Sequence, residues 1–149
     1  MRKLICILNL SLVITAFGAT ATRELPGAKL VPLIAETLSK SFELDQGQLI
    51  LEPARALNPI SIPADTANVS IQLTAQPYPQ PTAFMKAQYK VLADGKAVAN
   101  HTSYFRAQLI KNVWIAQKVA QRGKTLGEIK LLKKKADTIN LRGNVWTGK

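Results

Sequence analysis

The Asp94-Gly95 dipeptide restricts this fold more than any other feature of the chain. Asp-Gly supplies two adjacent residues that tolerate φ > 0, as the tight turns matching the right-handed twist of paired strands require. Before it, Ala83 to Leu92 alternates, with Met85, Ala87, Tyr89 and Val91 facing one way and Lys86, Gln88 and Lys90 the other. After it, a return strand starts near Lys96 and runs to about Ile110, long enough to need a bend or bulge. Such a hairpin has one apolar face, and another element must cover it.

Upstream segments supply candidates. Leu30, Ile34, Leu38 and Phe42 recur every fourth residue, with Leu33 and Thr37 beside them, and so form one stripe on an amphipathic helix. Pro32 falls in the first turn of that helix, where it is tolerated, and Asp45-Gln46-Gly47 stops it. Its polar face is poor in Lys and Arg, which favours packing on a sheet over lying on a membrane. Thr22 to Lys29, with Pro26-Gly27, reads as an extended, mobile lead-in. Gln48 to Glu52 is a short strand closed by Pro53, and Asn58-Pro59 and Ile62-Pro63 keep any strand near Ile60 short or at an edge. Asn68 to Gln76 alternates as a half-buried strand, and Pro77 to Pro81 is a stiff connection. One helix followed by six or seven strands in hairpins gives an α+β fold, mostly β, with the helix packed on antiparallel hairpins.

The N-terminus predicts export. Arg2 and Lys3 precede an apolar run from Leu4 to Gly18, and Ala19-Thr20-Ala21 fits a signal-peptide cleavage site after Ala21. The run is shorter than the roughly 20 residues of a spanning helix, so no stable membrane insertion is expected after cleavage. Cys6, the only cysteine, lies inside the segment to be removed and too near its start to be a lipoprotein cysteine. The processed chain then has neither disulfides nor thiolate chemistry.

Charge is unevenly placed. Residues 22 to 85 carry four basic and six acidic side chains, whereas residues 86 to 149 carry fourteen basic and three acidic ones. An asymmetry of this kind marks an interaction surface. For an exported protein the counterpart is an acidic protein, an anionic wall polymer or a lipid headgroup rather than nucleic acid.

Catalytic and metal-binding patterns are missing from the sequence. His101 is the single histidine, and as a residue of a hairpin strand it reads as surface or half-buried rather than as a general base. The acidic residues show no paired spacing, and Arg122-Gly123-Lys124-Thr125 lacks the upstream glycine of a phosphate loop. No cofactor or metal is expected. The triplets Asn68-Val69-Ser70 and Asn100-His101-Thr102 match glycosylation sequons that arise often by chance.

The basic half centres on Val113 to Lys135. Val113-Trp114-Ile115 opens a strand that runs on to Val119-Ala120, Gln121 to Thr125 forms a corner around Gly123, and Glu128 to Leu132 forms a second strand ending in Lys133-Lys134-Lys135. The three lysines are either a solvated strand end or, with Lys118, Arg122, Lys124 and Lys130, an anion-binding patch. Trp114 and Trp146 are core residues or stacking platforms, and for Trp114, between Val113 and Ile115, core or interface is favoured.

This segment resembles the opening of a SAF-type β-clip domain. Arg106-Ala107-Gln108-Leu109, leading through Lys111-Asn112 into Val113-Trp114-Ile115-Ala116 and then into the run from Arg122 to Gly143, is similar to the flagellar basal-body P-ring formation chaperone family. The similarity is spread over about Leu30 to Lys149. It implies a periplasmic chaperone without enzymatic activity that binds the P-ring subunit, with peptidoglycan as a second candidate contact. It also implies three segments: a signal peptide over 1–21, an N-terminal α+β domain over 22–111, and a partial SAF/β-clip domain over 112–149. Family members continue past the equivalent of Gly143, so the clip is expected to be C-terminally shortened and its open edge paired by a partner. The partner-binding residues expected on this basis are Trp114, Lys118, Arg122, Lys124, Lys130, Lys133, Lys134 and Lys135. A module binding wall polymer or envelope lipid through the same basic face is the alternative. A sugar-acid enzyme of the antifreeze-like group is disfavoured, because only carboxylates and His101 remain as metal ligands.

Overall fold

The structure, a computed structural model, describes residues 21–44, 47–75, 78–116 and 130–141. The expected signal peptide up to residue 20, the corner at 121–125 and Trp146 lie outside the described residues. The elements are β1 (Thr22–Leu25), α1 (Gly27–Ser41), β2 (Gln48–Pro53), β3 (Ile60–Pro63), β4 (Val69–Leu73), β5 (Phe84–Ala93), β6 (Lys96–Ala116) and β7 (Leu131–Asp137). The fold is α+β and mostly β, with antiparallel pairing throughout.

The hairpin forms where the dipeptide predicts it. Asp94 (φ 46°) and Gly95 (φ 81°) both take the left-handed conformation between β5 and β6. The Asp94 carboxylate accepts hydrogen bonds from the backbone N–H groups of Ala67 (3.1 Å) and Asn68 (2.8 Å), tying the turn to the start of β4. Near this end, Val91 pairs with Ala99 but Leu92 with Ala97, so Val98 is the extra residue of a bulge.

The main sheet runs β2-β6-β5-β4, with β7 added to β6. Its inner face carries Leu49, Leu51, Ile71, Met85, Ala87, Tyr89, Val91, Phe105 and Ala107, all buried. Helix α1 closes this face with Leu30, Ile34 and Leu38, each at most 1% exposed. The helix touches both β2 and β4, which are separated in the sheet by β6 and β5, so the sheet must curl around it. A separate two-stranded sheet, β1 with β3, adds Ile60 and Ile62 to the same core.

Three local expectations are corrected. The lead-in at Thr22 is strand β1: Thr22 to Leu25 pair with Pro63 to Ile60, and the Arg23 guanidinium donates to the Thr66 carbonyl at 2.8 Å. The helix starts at Gly27, so Pro32 sits in its second turn, where the missing N–H costs one intrahelical bond. Gly27 allows that early start because the chain passes so close to residue 57 that a Cβ there would lie 2.0 Å from the Leu57 carbonyl oxygen. Thirdly, β6 does not end near Ile110. It continues without interruption to Ala116, and its pairs with β7 (Ile110↔Asp137, Lys111↔Ala136, Asn112↔Lys135) lie on both sides of residues 111/112.

Candidate functional site

Strand β7 lies along a definite edge of β6. Phe105 pairs with Pro53 of β2 and Met85 of β5, and Ile110 pairs with Gln48 of β2 and Asp137 of β7. Strands β5 and β7 therefore follow one another on the edge opposite β2. The Asp137 carboxylate accepts the Leu109 N–H at 3.0 Å, and the Thr138 N–H donates to the Leu109 carbonyl at 2.8 Å. Burial pushes the Asp137 carboxyl upward. Hydrogen bonds from the Asn140 side chain and from the backbone N–H groups of Leu109, Ile139 and Asn140 outweigh this and hold it below the ordinary carboxylate range.

The second basic strand, expected over Glu128 to Leu132, extends past Leu132, while Glu128 and Ile129 lie outside the described residues. It begins at Leu131 and runs through the three lysines to Asp137, with Lys130 just before it. Lysine is a weak strand former, but pairing with Val113 and its neighbours on β6 outweighs that local preference. Strand alternation then divides the lysines, since directly paired residues point to the same side. Lys133 is opposite Trp114 and Lys135 opposite Asn112, whereas Lys134 is opposite the fully buried Val113. The three lysines, expected as a solvated strand end or as part of one anion-binding patch, are thus two on one face and one on the other. Trp114 is not a core residue: it is 37% exposed, with the Lys133 ammonium 5.9 Å from its ring centroid. Lys118, Arg122 and Lys124 lie outside the described residues.

The face shared by Trp114, Lys133 and Lys135 is the outer face of the whole sheet. On β6 it continues through Tyr104 and Arg106, in register with Phe84 and Lys86 of β5 and Ile50 and Glu52 of β2. Phe84, Tyr104 and Ile50 are exposed, Phe84 by 70%. The Arg106 guanidinium lies 5.9 Å from the Phe84 ring centroid and borders a groove of about 510 Å³ beside Ile50. Two cation–aromatic pairs therefore occupy this face, about 26 Å apart along β6 at the usual strand rise. Its described charges are Lys86, Lys90, Arg106, Lys133 and Lys135 against Glu52 and Asp137. The Phe84–Arg106 pair was not anticipated, although the alternation that sends Lys86 outward sends Phe84 with it.

A second feature lies at the inner face. A cleft of about 520 Å³ opens between the start of α1, the loop 54–59 and the middle of β5 and β6. His101 is half-buried in its wall, paired across the strands with Tyr89, and its Nε2 is buried without a hydrogen-bond partner among the described residues. Next to it, Tyr89 Oη and Ser103 Oγ share a buried hydrogen bond of 3.1 Å. Among the described residues no group of His, Cys, Asp or Glu is placed to hold a metal ion. No family model, curated protein or solved structure matches this chain.

Proposed function

We propose that this chain is an exported, non-enzymatic chaperone that assists assembly of the flagellar P-ring by binding the ring subunit through the outer face of β6 and β7. The observation that carries the reading is the pairing of exposed aromatic side chains with cations along one face, Phe84 with Arg106 and Trp114 with Lys133. The resemblance of Val113 to Lys135 and its flanks to the P-ring chaperone family supplies the partner. An aromatic ring contributes buried apolar area, and the cation beside it selects acidic groups at the rim of the contact. Such a face covers an apolar, acid-rimmed assembly surface on a subunit and releases it when a neighbouring subunit offers better complementarity.

The test is co-purification of the exported chain with the P-ring subunit. Capture that survives physiological salt and is lost in a Trp114→Ala, Phe84→Ala double variant supports the reading, and failure of the intact chain to capture the subunit contradicts it. The second reading, binding of wall polymer or envelope lipid, is favoured by the Trp114–Lys133 pair, because a ring with an adjacent ammonium suits an anionic sugar. It predicts capture by peptidoglycan or anionic vesicles, strong weakening by salt, and indifference to the ring subunit.

A further inference from the structure

We infer that the cleft beside His101 is a binding site for a small monocarboxylate with an apolar body, distinct from the groove beside Phe84 and Arg106 on the outer face. Its volume, about 520 Å³, is in the range of small-molecule sites. One wall is apolar, from Leu30, Leu57 and Ile60, and the opposite wall is polar, from Tyr89, His101 and Ser103, with Arg55 also lining the cleft. Among the described residues no acidic side chain lines it, so Arg55 meets no counter-charge from them there.

The polar wall has unused hydrogen-bonding capacity. Tyr89 and Ser103 hold two hydroxyl protons, and their mutual bond uses one, leaving the other to donate. The buried Nε2 of His101 makes no bond among the described residues, a state that is rare in folded proteins unless a ligand or water completes it. Guanidinium and hydroxyl groups are donors suited to a carboxylate, an imidazole Nε2 joins them when it carries the ring proton and turns toward the cleft, and one guanidinium fork matches the two carboxylate oxygens. A phosphate would want further cations, and a fully neutral ligand would leave Arg55 unused. The apolar wall fixes the remainder of the ligand as hydrocarbon or aromatic.

The position of the wall is fixed from outside the cleft. Gly27 packs against the backbone of residue 57, so the loop 54–59, which carries Arg55 and Leu57, is held against the start of α1.

The experiment is a titration of the full chain with benzoate and with hexanoate, followed by backbone amide NMR shifts, alongside benzamide, hexanamide and inorganic phosphate. Saturable shifts confined to residues around Leu57, His101 and Ser103, with about millimolar affinity for at least one acid, are expected. Affinity for the matching amide should be lower by about tenfold or more, the loss of one charge-assisted hydrogen-bonded pair. Arg55 is exposed, so Arg55→Ala keeps the fold and should lose the same factor, with Arg55→Lys falling between the two. Absence of saturable shifts at the cleft with both acids overturns the inference. Equal binding of the amides, or equal binding of phosphate, also overturns it.

Discussion

Gly27→Ala puts two principles in opposition and so tests how the helix is seated. Alanine is the better helix former, by up to about 1 kcal/mol, and on propensity alone the substitution stabilises. The structure predicts the reverse. A Cβ at residue 27 would sit 2.0 Å from the Leu57 carbonyl oxygen, 2.6 Å from its carbonyl carbon and 2.7 Å from its Cβ. These are backbone or near-backbone atoms, so no flexible side chain can swing aside. The helix or the loop 54–59 must move by more than about an ångström, and forced repacking of this kind costs about 1–3 kcal/mol. The net expectation is destabilisation by about 1–2 kcal/mol, or a fall in Tm of a few degrees for a domain of this size. Urea unfolding of the full chain, followed by far-ultraviolet circular dichroism, measures it. An unchanged or raised midpoint would show that the contact at Leu57 does not constrain α1, and the reasoning about the cleft wall would fall with it.

Other substitutions test separate parts of the account. Asp94→Ala removes two backbone hydrogen bonds and places alanine at φ 46°, so urea unfolding should show a loss of about 1–2 kcal/mol, with Asp94→Asn losing less. Tyr89→Phe leaves Ser103 Oγ buried without its partner and should cost about 1–2 kcal/mol, part of which the added Ser103→Ala change restores in a double-mutant cycle. Asp137 has a folded pKa below its ordinary value, so its contribution is present above the unfolded pKa and is lost as pH falls through the folded one. Urea midpoints of the parent should therefore drop more steeply than those of Asp137→Asn below about pH 4, and parallel profiles would contradict this.

What could be read from the sequence was what local chemistry decides. Asp94-Gly95 sets its own backbone angles, and the alternation around Met85 and Tyr89 needs only a period of two, so the hairpin and its buried face could be read directly. The stripe Leu30, Ile34, Leu38 did the same for the helix. The failures lie where a distant partner decides. Lys111-Asn112 looks like a break, yet both belong to β6 because Asp137 and its neighbours satisfy that edge. Thr22 to Leu25 looks like a polar tail until β3 pairs with it. Counting charge along the chain leaves Lys133 to Lys135 as either a solvated strand end or part of a patch, and only pairing with Trp114, Val113 and Asn112 divides them between faces. Of the two readings of Trp114, core or interface, alternation on a single strand removes the core one by placing the ring outward. The cleft could not be anticipated, since residue 55, residue 101 and α1 come together only through the curl of the sheet.

The division of the lysines gives the most direct test of the proposed binding face. Affinity for the P-ring subunit should be measured by biolayer interferometry for the parent chain, for Lys133→Glu with Lys135→Glu, and for Lys134→Glu. All three positions are exposed, so the fold is retained in each variant. The paired reversal on the outer face should weaken binding by about tenfold or more, while Lys134→Glu changes it by less than about threefold. Equal losses from both variants, or no loss from the pair, would contradict the claim that the outer face of β6 and β7 is where the partner binds.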